Sequence, residues 1–211
     1  MIKSKKIYIC TTNLCQLHCK GCYMSSAYNL QERTVDLDLV REVINNTLLE
    51  TDNIECVFHG GEPFFKHDNE TIQKYIDLIQ EYPQLKWGST TNLVYTITPK
   101  LLELFSLFTD KLIKTSWDVD SYRFNEEQLK LLENNVKFLL GLGYDIEPII
   151  TINTDIIKHS PKEILEYIKN FCKGSINFER ITDTGRAITN STRPTNREVD
   201  SWLYEAYIYN K

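Results

Sequence analysis

The run Lys6-Ile7-Tyr8-Ile9-Cys10-Thr11 reads as a β-strand, and the segment that follows it closely is Cys15-Gln16-Leu17-His18-Cys19-Lys20-Gly21-Cys22. A strand that empties into a loop carrying three thiols sets both the architecture and the chemistry to look for. Three of the six cysteines crowd into these eight residues, while Cys10, Cys56 and Cys172 are scattered. Disulfide scaffolds belong to short exported chains. Here the basic start Met1-Ile2-Lys3-Ser4-Lys5-Lys6 is followed only by Ile7 to Cys10, too short an apolar stretch for a signal-peptide core. Crowded thiols in a cytoplasmic chain point to metal instead.

Working outward, short β-rich runs alternate with segments of helical period. The strand candidates are Lys6 to Thr11, Ile54 to His59, Lys86 to Thr91, Leu112 to Trp117, Asp145 to Asn153 and Ser175 to Ile181. Between them, Val40, Val43, Ile44, Thr47 and Leu48 fall on one helix face, as do Ile72, Tyr75, Ile76 and Ile79. Leu129, Leu132, Val136, Leu139 and Leu140 form another such face, and Ile164, Leu165, Ile168 and Phe171 a further one. Leu101 to Phe108 is apolar nearly all round, as a well-buried helix requires. Thr98-Pro99 and Ser160-Pro161 place a capping hydroxyl before a proline at the first helical position. Ser160 with Glu163, Asn125 with Gln128, and Thr195 with Glu198 read as capping boxes. Pro148 lacks a ladder donor, so a bulge there or a strand start at Ile149 is expected.

Alternation of this kind specifies a parallel sheet covered by helices. Eight such units need about 250 residues; with 211 residues, six fit. The expected fold is therefore α/β, a partial (β/α)6 TIM barrel with parallel strands plus a C-terminal helix bearing Val199, Trp202, Leu203, Ala206 and Tyr207 on one face. Residues 1–190 form the partial-barrel domain in this reading. Residues 191–211 form the C-terminal helix, the start of an extension that is truncated or absent. An apolar fraction of 42% supplies enough core to exclude intrinsic disorder. A net charge of −5 disfavours unaided binding to DNA phosphates. No apolar run approaches the roughly 20 residues that cross a bilayer, so neither membrane nor DNA is expected as a partner.

The cysteine loop leaves two metal readings open. Structural zinc takes four ligands in a closed site, and Cys10 or His18 would have to be the fourth. Three cysteines without a fourth suit a [4Fe–4S] cluster with one iron open, since such clusters otherwise take four cysteines. Cys10 and Cys56, lying in strands, read as small buried hydrophobes, and so does Cys172.

The C-x3-C-x2-C loop after the first strand resembles that of the radical S-adenosylmethionine (SAM) superfamily. Further motifs match in order at strand ends. His59-Gly60-Gly61-Glu62-Pro63 resembles the GGEP motif, Thr91-Asn92 and Ser116-Trp117-Asp118 resemble the Thr-Asn and Ser-x-Asp positions, and Thr184-Gly185-Arg186-Ala187 resembles the GRA turn. The subgroup most similar is that of the sulfatase and peptide maturases (SPASM-like), without their C-terminal auxiliary-cluster domain. The resemblance implies that Cys15, Cys19 and Cys22 hold three irons of a [4Fe–4S] cluster whose fourth iron chelates SAM. It also implies that Gly60, Gly61, Glu62 and Pro63 form the SAM ammonium site and that Asn92 and Ser116 contact carboxylate or ribose. The residue before the third cysteine, where the backbone of the family meets adenine, is Gly21 here, and Tyr23 on the other side of that cysteine is a further cofactor-binding candidate. Asp118 is the candidate catalytic residue, near the substrate or the ribose hydroxyls. Glycines there would let the backbone approach the ligand closely.

The implied reaction is reductive cleavage of SAM to a 5′-deoxyadenosyl radical that abstracts hydrogen from a peptide or protein substrate. Implied partners are a one-electron donor such as flavodoxin or ferredoxin and, given the short chain, a second chain that completes the barrel. A small glycyl-radical or ribonucleotide-reductase activating enzyme is the alternative within the superfamily. A cluster- or zinc-holding regulatory module without SAM cleavage is the alternative from another class. Three residue roles stay open at this level. His59 either lines the site or makes a structural hydrogen bond, and Arg180 either faces the SAM carboxylate or is paired at the surface. Tyr204, Tyr207 and Tyr209 form core or an interface.

Overall fold

Side-chain alternation builds the first strand: Ile9 and Thr11 are buried while Lys6, Tyr8 and Cys10 on the opposite face are exposed. In the computed structural model, which describes residues 4–27, 29–118, 123–169, 172, 174–188 and 193–210, this strand is β1 (Lys5–Thr12). It is followed by β2 (Ile54–Gly60), β3 (Lys86–Thr91), β4 (Leu112–Ser116), β5 (Asp145–Ile152) and β6 (Asn177–Arg180). The strands lie in the order β1-β2-β3-β4-β5-β6. The β1–β2, β2–β3 and β5–β6 pairs are parallel. With α1 (Leu37–Leu48), α2 (Asn69–Glu81), α3 (Pro99–Ser106), α4 (Glu126–Gly141), α5 (Pro161–Lys169) and the C-terminal α6 (Asn196–Tyr209), this is a partial (β/α)6 barrel. Phe171 and Asp120, named above or adjoining the Ser-x-Asp motif, lie outside the described residues.

The chain divides into two compact units. The first comprises the described residues of 1–16, 26–91 and 95–114. Its core is aromatic: Phe58, wholly buried, stacks on Trp87 at 5.8 Å between centroids and lies 5.2 Å from Tyr75. Phe105 continues the cluster to Phe64 at 5.4 Å and Phe108 at 5.5 Å. Ring pairs of this type contribute about 0.5–1.5 kcal/mol beyond their buried area. Thr98 caps α3 by accepting from the Leu101 amide at 3.2 Å, with Pro99 in the first turn. In α1, Val40, Ile44 and Thr47 are buried, but Val43 is 41% exposed and lies off the packed face.

The second unit comprises the described residues of 17–25, 92–94 and 115–211. Leu132, Val136 and Leu139 of α4 and Ile146, Ile150 and Ile152 of β5 are buried there. Trp202 of α6 meets Phe178 edge-on at 5.2 Å and donates its indole N–H to the His159 carbonyl at 2.9 Å. All three capping boxes, Asn125 with Gln128, Ser160 with Glu163 and Thr195 with Glu198, are formed. One expectation needs correction and another is narrowed. Strand β5 begins at Asp145 rather than Ile149 and runs through Pro148, because its ladder with β6 begins only at Ile149 and asks no donor of residue 148. For the tyrosines of α6 the core reading falls and the interface reading stands: Tyr204 is 65% exposed, Tyr207 58% and Tyr209 37%. They add nothing to the core because Val199, Trp202 and Ala206 already fill the packed stripe.

Candidate functional site

The end of β1 and the end of β2 are laced together in the first unit. The β1–β2 register shifts between Cys10 and Thr12, paired with His59 and Gly60 respectively, so that Thr11 is an extra residue. Such bulges re-aim side chains at strand ends. The Thr11 hydroxyl donates to the Pro63 carbonyl at 2.8 Å. The Gly61 amide then donates to the Thr12 carbonyl and the Glu62 amide to the Leu14 carbonyl, each at 2.8 Å. A Cβ on Gly60 (φ 136°) would overlap the Thr12 carbonyl, and one on Gly61 would overlap that of Leu14. The glycines are thus required by protein packing: they let the turn close onto the backbone that leads into Cys15.

Glu62 is 1% exposed, and its Oε1 accepts from the Thr91 hydroxyl at 2.5 Å. Thr91 Oγ1 lies 2.7 Å from the Tyr95 hydroxyl. Burial, and next the Glu62 charge, hold the Tyr95 phenol well above its ordinary value of 10.0. His59 uses Nδ1 to accept from the Gly60 amide at 2.7 Å, which leaves Nε2 as the protonated nitrogen of its neutral form. Burial lowers its pKa from 6.5. Cys15 is buried, with its Sγ 3.7 Å from Gln16 Oε1.

The second unit holds Cys19 and Cys22 by their backbone. The Arg186 side chain donates from Nε to the Cys19 carbonyl at 2.9 Å, and its amide donates to the Cys22 carbonyl at 3.0 Å. Gly185 before it sits at φ 57°, and a Cβ there would overlap the carbonyls of Cys22 and Tyr23. Only glycine supplies both the left-handed backbone and the space. The GRA turn is therefore a clasp on the cysteine loop.

Arg123 reaches the Cys19 sulfur: Nη1 lies 3.8 Å from Sγ, Nε 2.8 Å from Asp118 Oδ2 and Nη2 3.2 Å from Thr151 Oγ1. Burial pushes the Cys19 thiol up from 9.0, opposed by Arg123. It likewise raises Asp118, again opposed by the Arg123 charge. Asp118 Oδ1 and Asn153 Nδ2 are buried and have no hydrogen-bond partner among the described residues. Groups of that kind call for an explanation such as an unseen ligand.

The remaining sequence candidates fall as follows. Asn92 is buried, and its Oδ1 accepts from the Val94 amide at 2.8 Å; Ser116 is partly exposed at the end of β4. Tyr23 is 51% exposed. Arg180 pairs at the surface with Asp200, which decides between its two readings. Cys56 is fully buried and its thiol is pushed up to about 12, chiefly by burial. Cys172 is buried too, donating to the Ile146 carbonyl at 2.9 Å. Cys10 departs from expectation: it is exposed, because the pleat puts it on the Lys6 and Tyr8 face of β1. Sequence reasoning missed Arg123, Arg186 as a clasp, Asn153 and the Thr91–Tyr95 pair. Arg186 stood in a recognised motif, whereas nothing local marks Arg123.

Three thiols are the donor type that an iron–sulfur cluster takes. Cys15, Cys19 and Cys22 are free thiols, two buried and one partly so. Among the described residues no three His, Cys, Asp or Glu side chains are gathered to hold a single metal ion. His18, the sequence candidate for a fourth zinc ligand, is exposed. The family model of the 4Fe-4S single cluster domain matches residues 8–136, more than half of the chain and including all three cysteines. The chain belongs to this family.

No curated protein matches the single-cluster chain in sequence. Its fold is that of the radical SAM enzymes. It is similar to anSMEcpe with bound S-adenosylmethionine, with a TM-score of 0.73 and 15% identity over 98% of this chain and 58% of that one. It is also similar to Streptococcus suis SuiB bound to S-adenosylmethionine (0.68, 15%, 98% and 48%) and to methylornithine synthase, PylB (0.68, 15%, 97% and 62%). The chain thus spans about half to three-fifths of the length of these structures. Among its described residues no helix is long and apolar enough to cross a membrane.

Proposed function

We propose that this chain is a radical SAM enzyme that modifies a peptide or protein. Cys15, Cys19 and Cys22 would hold the [4Fe–4S] cluster. The Gly60–Pro63 turn and Glu62 would receive the SAM ammonium, with Asn92, Ser116 and Tyr23 as further SAM contacts. The chemistry the cluster supplies when bound is one-electron cleavage of SAM to methionine and a 5′-deoxyadenosyl radical. The chain's own residues do the rest: they fix the ligands, exclude water and orient the cofactor.

The reading is carried by the pair of 2.8 Å bonds from Gly61 and Glu62 to Thr12 and Leu14. They tie the turn assigned to SAM to the residues immediately before the first iron ligand. Glu62 keeps its carboxylate dry and bonded to Thr91, so that a further charge-assisted bond to an ammonium would be a strong one. Asp118, with one buried oxygen that meets no partner among the described residues, is the group proposed to face ribose or substrate.

A peptide or protein substrate is supported by two observations. Structures of anSMEcpe with the Cp18Cys peptide and of SuiB with its precursor peptide SuiA share this fold. In the present chain β1 ends the sheet order with Tyr8 58% exposed on its open face. A flavodoxin or ferredoxin would supply the electron, a partner chain would complete the barrel, residues 1–190 would be the functional module with the C-terminal helix added to it, and the setting would be cytoplasmic.

Anaerobic reconstitution with iron and sulfide tests the proposal. About four irons per chain are expected, together with release of 5′-deoxyadenosine on addition of dithionite and SAM. Tight zinc binding with no iron uptake, or a cluster that leaves SAM intact, would turn the assignment to a metal-holding regulatory module.

A further inference from the structure

We infer that Arg123 is a positioning residue that fixes Cys19 and sets the redox poise of the cluster that Cys19 would ligate. This rests on the proposed function. It concerns a residue outside all the recognised motifs, 104 positions from the cysteine it touches.

A guanidinium is a planar fork with donors along several edges, and here they address three separate segments. Nε meets Asp118 after β4, Nη2 meets Thr151 in β5, and Nη1 meets the sulfur of Cys19. Lysine is a single point of charge and cannot bridge all three. The side chain of Arg123 is 16% exposed and that of Asp118 0%. Burying either charge alone is costly, whereas the pair is neutral overall. The pair is nonetheless directional, with its cationic end toward Cys19 Sγ. A cation with an N–H aimed at a ligating sulfur draws electron density from it and stabilises the reduced cluster. Hydrogen bonds to sulfur and local net charge are among the levers a protein has on iron–sulfur potentials. The buried carboxylate of Asp118 opposes that effect while holding the fork in place.

Opposite signs separate this role from a merely structural one. Midpoint potentials of the anaerobically reconstituted full chain, read by EPR-monitored redox titration, are compared for wild type, Arg123→Gln, Arg123→Lys and Asp118→Asn. Loss of the cation in Arg123→Gln shifts the potential to lower values. Arg123→Lys, which keeps the charge without the fork, falls between it and wild type. Asp118→Asn, which removes the opposing charge at unchanged shape, shifts the potential upward. Equal potentials in all four proteins, or shifts of the same sign for Arg123→Gln and Asp118→Asn, overturn the inference. If Arg123→Gln fails to take up iron, Arg123→Lys and Asp118→Asn decide, with no change in either overturning it. A wild-type chain that assembles no cluster would instead sink the proposed function itself.

Discussion

Arg186 and Cys19 are joined by a 2.9 Å hydrogen bond from the guanidinium Nε to the backbone carbonyl, across 167 positions of sequence. With the Arg186 amide on the Cys22 carbonyl, one residue satisfies two acceptors of a loop that has no regular structure of its own. A hydrogen bond from a charged donor contributes about 1.5–3 kcal/mol. Here that stabilisation goes into the shape of the loop.

Removing the clasp is expected to loosen the loop and leave the barrel intact. Arg186→Ala should lose iron to a chelator markedly faster than wild type, with an unchanged far-ultraviolet circular dichroism spectrum. Gly185→Ala should be worse. Its φ of 57° costs about 1–2 kcal/mol for an alanine, and the added Cβ overlaps two carbonyls. Equal iron retention in both variants would show that the turn is incidental to the loop.

The glycine pair after β2 is expected to matter without any ligand. Gly61→Ala puts a methyl into the Leu14 carbonyl and strains the two bonds that tie the turn to β1. A cost of about 2–3 kcal/mol is expected from overpacking, seen as a melting temperature lower by about 4–12 °C for a chain of this size. The measurement is made on iron-free protein. A normal melt there, with SAM binding lost, would mean that the glycine serves the cofactor alone.

Thr91 donates its hydroxyl to the buried Glu62 carboxylate. Thr91→Val keeps the volume and removes the 2.5 Å bond. Leaving a buried acceptor short of a donor costs about 1–3 kcal/mol, more for a charged one. Thr91→Ser, which retains the hydroxyl, should recover most of the lost stability in chemical denaturation. If both variants unfold alike, the bond contributes little.

Acid should destabilise the iron-free protein earlier than its carboxylates require. His59 is buried and neutral, accepting from the Gly60 amide, and its folded pKa lies below 6.5. His67, whose Nδ1 lies 3.0 Å from the Tyr75 hydroxyl, is lowered as well, again chiefly by burial. Between the folded value and 6.5 the unfolded chain binds more protons, so stability rises with pH in that window. It is fully present above 6.5 and lost as pH falls toward the folded value. Urea midpoints measured across this range should fall with acidification, and His59→Gln should flatten the slope, with His67 responsible for what remains. A slope indifferent to both histidines would assign the effect elsewhere.

Local signals explain what could be read from the residues in order. A short β-rich run gave β3 its bounds, Lys86 to Thr91, without error, and a hydroxyl or amide three residues before its partner marked the starts of α4 and α6. Each depends on neighbours within one turn or one pleat, which sequence displays directly. Exposure was less legible. Cys10 and Val43 sit on the open sides of their elements, and the residue type alone cannot say which side is covered.

By itself the sequence determined the alternating strands and helices, the three-cysteine loop after β1 and the order of motifs at strand ends, because periodicity and spacing are properties of the chain. Only the tertiary structure decided that Gly60 and Gly61 serve the closure of β2 onto β1, that Arg186 clasps the cysteine loop, and that Arg123 meets Cys19. Those contacts join positions far apart in sequence. They are set by strand register and loop path, which depend on many residues at once and leave no local trace.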